Sequence, residues 1–164
     1  VEAANIDFKA FDDDFLRKVC AQDLKTLTKT VEISRAGGMW IELTNLIVPT
    51  MNDDLRKIKE LASWIKNTVG KDVPLHFSRF WPMYKLKNLP PTPVATLERA
   101  RECALEAGLE YVYIGNVPGH KGNNTYCPSC KSLIIERRGY MVGAVSMAGS
   151  KCGHCGHEIP GIWQ

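Results

Sequence analysis

Apolar and polar positions alternate along the first 115 residues in a way that separates strands from helices. Residues 3–9 alternate with a period of two, which predicts a strand, and residues 40–48 form an apolar run typical of a buried parallel strand. Two shorter apolar runs, at about 73–80 and at 111–115, predict two further strands. Between these segments apolar residues recur at the helical period, which predicts crossover helices.

Capping residues mark where the helices begin. Asp12 and Asp23 precede the first two periodic segments, and Asn52 or Asp53 is expected to cap the third. Pro93 stands at the start of the fourth, in a position that helices tolerate. The resulting order, in which helices separate each strand from the next, predicts an α/β fold with a parallel sheet. The pattern leaves two architectures open, an open α/β sheet and a part of a barrel.

The last forty residues carry two Cys-x-x-Cys motifs, and twenty-one residues separate them. A tetrahedral metal ion requires ligands at this spacing, because each tight turn presents two sulfurs and the intervening hairpin brings the two turns together. The predicted ligands are Cys127, Cys130, Cys152 and Cys155, with disulfides as the alternative. His154 is an alternative ligand, and His157 is expected to be spare.

Composition narrows the function classes. The 164 residues include 21 Lys and Arg against 18 Asp and Glu, and a net charge of +3 without a basic block argues against nucleic acid as a partner. No apolar run approaches the ~18 residues that would predict a membrane span. The paired cysteines fit a reducing cytoplasm, and Cys103, on the apolar side of a helix, is expected to be a small buried thiol.

Polar side chains recur at every second position of three predicted strands. Asn5, Asp7 and Lys9 share one face of the first strand, with Ile6 and Phe8 on the other. Glu42 and Thr44 on the second strand, and His76 and Ser78 on the third, repeat this arrangement. If these faces converge, they form one polar cavity. A sheet face that is simply solvated is the alternative.

The segments that follow the strands add candidates for binding, because parallel α/β folds bind ligands at the carboxyl ends of their strands. Arg79 and Lys85 are suited to a carboxylate or phosphate. Trp81 and Tyr84 are suited to stacking on a flat ring, or to packing against the ribbon. His120 is a candidate acid–base group, with a solvated loop histidine as the alternative.

Four segments together resemble the radical SAM enzyme of the AmmeMemoRadiSam system, a family related to pyruvate formate-lyase activating enzymes. The segments are NIDFK at 5–9, ELTNLIVPTMND at 42–53, HFSRFWPMYK at 76–85 and YVYIGNVPGH at 111–120, followed by the first cysteine pair. The resemblance covers essentially the whole chain and implies half of a (β/α) barrel. It also implies that residues 1–120 form the carboxyl-terminal half of that barrel and that residues 121–164 form a zinc-ribbon or rubredoxin-like module.

The resemblance implies a cofactor site as well. In this family a [4Fe–4S] cluster and S-adenosylmethionine generate a 5′-deoxyadenosyl radical, which abstracts hydrogen from a substrate. By analogy, the S-adenosylmethionine side is lined by Asp7, Lys9, Thr44, Asn45, His76 and Ser78. The substrate side is lined by Arg79, Tyr84, Lys85 and His120. Activases place a histidine where this chain has Trp81, so His76 is a substitute for that histidine.

One family motif is absent from the sequence. Radical SAM enzymes hold their cluster through a Cys-x-x-x-Cys-x-x-Cys loop, and the chain has no such triplet. Four thiolates on one ion leave no open position for S-adenosylmethionine, so the ribbon is expected to hold structural zinc or a single iron. The chain starts at Val1 rather than Met, and it is interpreted as the carboxyl-terminal portion of the enzyme, inactive alone.

The expected partners are the amino-terminal half, in the same chain or as a subunit, and a substrate of unknown identity, either a protein glycyl residue or a small molecule. Self-association of the isolated piece is expected from its uncovered sheet edges. Two rival hypotheses remain. One is a stand-alone binding module that works through its metal ribbon on a non-catalytic scaffold. The other is a protein that binds S-adenosylmethionine without radical chemistry.

Overall fold

A computed structural model describes residues 1–139 and 141–163, which form a helix-covered parallel sheet followed by a small antiparallel ribbon. The first part contains β1 (Ala3–Asp7), α1 (Asp13–Cys20), α2 (Leu24–Ala36), β2 (Trp40–Ile47), α3 (Leu55–Trp64), β3 (Leu75–Arg79), α4 (Val94–Glu106) and β4 (Val112–Gly115). The ribbon contains β5 (Thr125–Tyr126), β6 (Leu133–Arg138), β7 (Met141–Val145), β8 (Met147–Ala148) and β9 (Lys151–Cys152).

The first four strands are parallel and pair in chain order, β1-β2-β3-β4. The predicted α/β fold with a parallel sheet is therefore confirmed. In register, Asp7 lies beside Thr44, Thr44 beside His76, and His76 beside Tyr113. One row across the sheet thus carries a polar side chain on every strand.

Two of the predicted helix caps are present, and the third lies one or two residues further on. Asp12 accepts a hydrogen bond from Phe15 N at 2.9 Å, and Asp23 accepts one from Thr26 N at 2.8 Å. The third helix is capped by Asp54, not by Asn52 or Asp53. The Asn52 side chain is unavailable for capping, because it accepts a hydrogen bond from Val48 N at 2.6 Å. The short spacing of these polar residues explains the one- to two-residue shift.

The apolar core lies on one side of the parallel sheet. Ile41, Leu43 and Ile47 of β2 are completely buried, as are Leu75 and Phe77 of β3, and they pack in one cluster with residues of all four helices described here. Alternate residues of the same strands face the other way and are only partly buried. The helices therefore cover one face of the sheet and leave the other to polar side chains.

The ribbon has its own small core. Tyr111 from the segment leading into β4 packs with Ile134, Ile135 and Ile159, and with two cysteines of the ribbon. The ribbon consequently contacts the sheet near the beginning of its strands. The division of the chain into residues 1–120 and 121–164 stays a prediction. Gln164, the last residue of the second part, lies outside the described residues. Within the described part of the chain, every helix is too short or too polar to cross a bilayer.

Candidate metal centre and polar sheet face

The four predicted metal ligands come together in the fold. The Sγ atoms of Cys127, Cys130, Cys152 and Cys155 all lie within 4.8 Å of one another. Cys127 and Cys155 are 3.7 Å apart, and Cys130 and Cys152 are 3.8 Å apart. A tetrahedral ion with Zn–S bonds of about 2.3 Å requires sulfurs about 3.8 Å apart. The donor set and its dimensions therefore fit a four-thiolate metal site.

The two cysteine turns have the same backbone geometry. Lys131 N donates to Cys127 O at 2.9 Å, and Gly156 N donates to Cys152 O at 2.8 Å. Both donors stand directly after the second cysteine of their turn, and both adopt a positive φ, 61° for Lys131 and 74° for Gly156. Lys131 therefore occupies a left-handed position that glycine fills in the other turn.

Hydrogen bonds to sulfur favour thiolate at the exposed ligand Cys130. The Ser132 hydroxyl and the Ser132 backbone N–H lower the pKa of Cys130 to about 6. The backbone N–H of His157 has the same effect on Cys155, but local desolvation and the neighbouring thiols raise the pKa of Cys155 to about 11. Four thiols this close share their protons, and a metal ion replaces those protons, because thiolates are the ligands.

The remaining histidines and cysteines do not join this group. His154 and His157 are exposed, and among the described residues the ligand cluster contains the four cysteines alone. Cys20 and Cys103 lie in the sheet–helix part, where burial raises the pKa of both thiols. Cys103 is partly buried, and its Sγ lies 3.6 Å from Leu55 O. Both thiols suit packing better than nucleophilic chemistry.

The face of the sheet that the helices leave open carries most of the polar side chains that the alternation predicts, and the ribbon contacts this face at its β4 side, where Arg137 lies over Tyr113. Thr44 Oγ1 donates to Asn5 Oδ1 at 2.8 Å across β1 and β2. Lys9 Nζ lies 2.8 Å from Asp7 Oδ1. His76 Nε2 lies 2.7 Å from Glu42 Oε2. The three strands thus present one connected polar surface with both charge signs.

Asn45 does not belong to this surface. It lies on the helix-covered side, 2% exposed, and its Nδ2 donates to Phe8 O at 3.0 Å and to Lys9 O at 3.1 Å. Asn52, which the sequence suggested only as a helix cap, also donates to Lys9 O, at 2.7 Å. Two buried amides therefore hold the chain where it leaves β1, just after Asp7. In the sequence, the buried role of Asn45 is indicated by its position as a polar residue inside an apolar strand.

Strained backbone follows three of the four parallel strands. Thr50 after β2, Tyr84 after β3 and Asn116 after β4 all have φ between 48° and 65°. Residues other than glycine rarely adopt this region, and such strain concentrates at binding and catalytic sites. Three instances at the same edge of the sheet point to this edge as a ligand site.

The predicted substrate-side residues differ in their exposure and in the contacts that they already make. Arg79 donates from Nε to Thr92 O at 2.8 Å, and its guanidinium carbon lies 4.3 Å from the centroid of Trp81. Tyr84 is 82% exposed, and Lys85 Nζ lies 5.4 Å from its ring. Trp81 is thus a partner of Arg79. The loop leaves an aromatic ring and an ammonium group available to a ligand.

His120 is already engaged on both ring nitrogens. Its Nδ1 accepts a hydrogen bond from Gly122 N at 3.0 Å, and its Nε2 lies 3.1 Å from Glu98 Oε1 on α4. The side chain is only 13% exposed. His120 therefore caps the short turn after β4 and ties it to a helix. An acid–base role would require one of these bonds to break.

Comparisons with known proteins bear on the fold. No protein-family model matches the chain. The uncharacterized protein MJ0808 of Methanocaldococcus jannaschii is 47% identical over 163 residues, which are 97% of this chain and 48% of that protein. The chain thus spans about half the length of the curated relative it matches.

A solved structure has a similar fold. The crystal structure of a domain of pyruvate-formate lyase-activating enzyme from Bacteroides vulgatus superposes with a TM-score of 0.59. The match covers 70% of this chain and 68% of that domain, at 15% sequence identity. At this identity the likeness concerns the fold, and the activity requires its own argument.

Proposed function

We propose that the chain is the carboxyl-terminal half of a radical SAM enzyme and contributes one wall of the S-adenosylmethionine site. The observation that carries this proposal is the one-sided parallel sheet, which keeps a connected polar face open and shares its fold with a domain of an activating enzyme. A relative about twice as long supports it, because such a protein has room for a second half.

The residues of the open face fit a ligand with both charge signs, such as S-adenosylmethionine. Asp7 and Thr44 supply acceptors, Lys9 supplies a cation, and Ser78 supplies a hydroxyl near the end of β3. When bound, the cofactor and a [4Fe–4S] cluster supply a 5′-deoxyadenosyl radical for hydrogen abstraction. Among the described residues, the cysteines that come together are the four of the ribbon. We therefore assign the [4Fe–4S] cluster to the amino-terminal half.

The substrate would meet the loop after β3. Tyr84 and Lys85 are its most available groups, and Arg79 adds a guanidinium stacked on Trp81. Such a surface suits an anionic or aromatic group. His120 is assigned a positioning role, since both of its nitrogens are occupied.

The partner of this half would pair with the outer strands of the sheet. β1 and β4 each have one strand neighbour in the described sheet, so one side of each remains without a sheet partner. We propose that the amino-terminal half covers these edges, in the same chain or as a subunit, and that the isolated piece associates with itself. Nucleic acid and membrane are not proposed as partners, and the cytoplasm is the proposed location.

The ribbon would hold structural zinc, with a single iron as the alternative. A second candidate function, a stand-alone binding module, is favoured by one observation. Met141, Val142 and Val145 of the outer ribbon strand β7 are each more than half exposed. Apolar side chains on an uncovered strand suit a protein partner.

The deciding experiment uses the native protein that contains this chain, with its intact mass measured first. After anaerobic reconstitution with iron and sulfide, the protein is given S-adenosylmethionine and dithionite, and 5′-deoxyadenosine is quantified by mass spectrometry. We expect the nucleoside to form, and Asp7→Asn to reduce its yield at least tenfold. The exposed helix variant Asp14→Asn serves as the matched control.

The other outcomes separate the rivals. A native mass near 18.3 kDa with no nucleoside formed would overturn the radical proposal for this chain. Calorimetry that then shows saturable S-adenosylmethionine binding without a cluster would favour the purely binding protein. Absence of both activities would leave the metal-ribbon module.

A further inference from the structure

Glu42 and His76 form an oriented pair on the open face of the sheet. Glu42 Oε2 lies 2.7 Å from His76 Nε2, and Trp40 Nε1 donates to Glu42 Oε1 at 3.4 Å. An ionised carboxylate can only accept, so His76 Nε2 is the donor, and this bond lowers the pKa of Glu42. In a neutral imidazole Nδ1 is then the acceptor.

Tyr113 fixes the plane of this histidine. The two rings stack with centroids 4.9 Å apart and planes 20° apart. The Tyr113 hydroxyl lies 3.1 Å from Thr125 Oγ1, at the beginning of the ribbon. The imidazole is therefore held by a carboxylate at one nitrogen and by an aromatic ring on one side.

Arg137 of ribbon strand β6 brings a positive charge to the same place. Its Nη1 donates to Thr125 Oγ1 at 2.5 Å, and its guanidinium carbon lies 5.8 Å from the centroid of the Tyr113 ring. Among residues 1–139 and 141–163, no carboxylate lies within 4.0 Å of this guanidinium. The Glu42 carboxylate lines the same cavity and interacts with Arg137 through space, but the two make no direct ion pair. A partly buried guanidinium without such a direct partner is suited to bind an external anion.

Asn123 adds a buried acceptor. Its Nδ2 donates to Ile114 O at 2.5 Å, which fixes the orientation of the amide. Its Oδ1 is buried and has no hydrogen-bond partner among residues 1–139 and 141–163. Leaving a buried acceptor unpaired costs about 1–3 kcal/mol, so a ligand that donates a hydrogen bond here would recover that loss.

These five side chains line one cavity. Glu42, His76, Tyr113, Asn123 and Arg137 surround a space of about 250 Å³. We infer that this cavity binds a small α-hydroxy or α-amino carboxylate. Arg137 takes the carboxylate, and the hydroxyl or ammonium group donates to Asn123 Oδ1 or His76 Nδ1. The inference does not depend on the radical chemistry proposed above.

The cavity joins the sheet to the metal ribbon. His76 and Tyr113 belong to the sheet, whereas Arg137 lies in the strand that follows the first cysteine turn. Releasing the metal frees that turn, so binding of the carboxylate requires a metal-loaded ribbon.

The test uses the native, metal-loaded protein and L-lactate, with glycine as the amino analogue. NMR titration of isotopically labelled protein follows the Arg137 Nε–Hε signal and the His76 ring signals, and calorimetry supplies the affinity. We expect saturable shifts at both residues and weaker binding of acetate, which lacks the donor. We expect Arg137→Gln to weaken lactate binding at least tenfold.

The matched control is Arg138→Gln, because Arg138 is the next residue on β6 and its exposed side chain pairs with Glu136. That variant should bind lactate normally, and so should Asp7→Asn, which addresses the S-adenosylmethionine proposal separately. The wild-type shifts test the site even if Arg137→Gln fails to fold. Lactate and glycine that leave both signals unmoved, or that bind Arg137→Gln unchanged, would overturn the inference.

Discussion

On the helix-covered side of the sheet, twenty-three described residues form one buried apolar cluster, whereas the cluster of the ribbon has six members. Two of those six, Cys127 and Cys152, are metal-site ligands. A core as small as that of the ribbon rarely stabilises a fold without a disulfide or a metal. We therefore expect the sheet to depend on apolar burial and the ribbon on a metal ion at its four cysteines, although the two parts are in contact.

The largest effect that separates the two regions should come from Cys127→Ser. Structural zinc contributes an apparent ~10–16 kcal/mol in small domains, so loss of a buried ligand should empty the site and unfold the ribbon. Metal analysis and hydrogen exchange should show no bound ion and unprotected ribbon amides, with β2 and β3 still protected. Cys103→Ser is the control. A ribbon that stays folded but loses a binding partner would favour the rival binding module.

A second experiment addresses the two faces of the same strand. Phe77→Ala removes a fully buried ring and should lower the free energy of unfolding by about 3–5 kcal/mol. Ser78 follows Phe77 on β3 and faces the open side of the sheet. Ser78→Ala should change the free energy of unfolding by less than about 0.5 kcal/mol. Urea denaturation measures both. Equal costs would contradict the one-sided core.

Asn52→Ala should have an intermediate effect of about 2 kcal/mol. The change leaves the Val48 N–H and the carbonyls of Lys9 and Leu46 without their side-chain partner. Asn88→Ala, in an exposed loop, is the matched control. Urea denaturation that cannot distinguish the two variants would show that Asn52 does not hold this edge of the sheet.

The Glu42–His76 bond should appear as a dependence of stability on pH. The pKa of Glu42 is below its ordinary value of 4.5 in the folded chain, so its stabilisation is present above that value. It should be lost as the pH falls through the lowered pKa. The difference in stability between wild type and Glu42→Gln should then be less than about 1 kcal/mol near neutrality and vanish in acid. Glu60→Gln, on an exposed helix face, should show no such trend.

A last, small effect tests the equivalence of the two cysteine turns. Lys131→Gly should make the ribbon more stable than Lys131→Ala by about 1 kcal/mol, because alanine retains the strain of a left-handed residue. Both variants lose the bond from Lys131 Nζ to Pro128 O, so that loss cancels in the comparison. Thermal unfolding of the metal-loaded proteins measures the difference, and a more stable alanine variant would contradict it.

Most of the fold could be predicted from local patterns in the sequence. The strand alternation, the caps at Asp12 and Asp23, and the cysteine spacing all act over a few residues, and the structure contains each of them. Asn45 marks a limit of the family resemblance, which grouped it with Thr44. Consecutive residues of a strand face opposite sides, and Asn45 lies buried on the helix-covered side. Its role at the cofactor site stays a prediction.

The carboxylate cavity shows a second limit. Glu42 and Arg137 are far apart in sequence, and the contact between ribbon and sheet brings them to one space. No periodicity marks Arg137 as different from Arg138, since the distinction depends on which side of β6 meets the sheet. The contact between His120 and Glu98 likewise depends on tertiary packing.

The placement of the ligands on both sides of the β6–β7 hairpin has a consequence for proteolysis. Arg138 is exposed beside the turn, so trypsin should cut there and leave Cys127 and Cys130 on one fragment, Cys152 and Cys155 on the other. The bound ion would then join the two fragments as a covalent cross-link does. They should migrate as one particle until a chelator is added, and as two pieces afterwards.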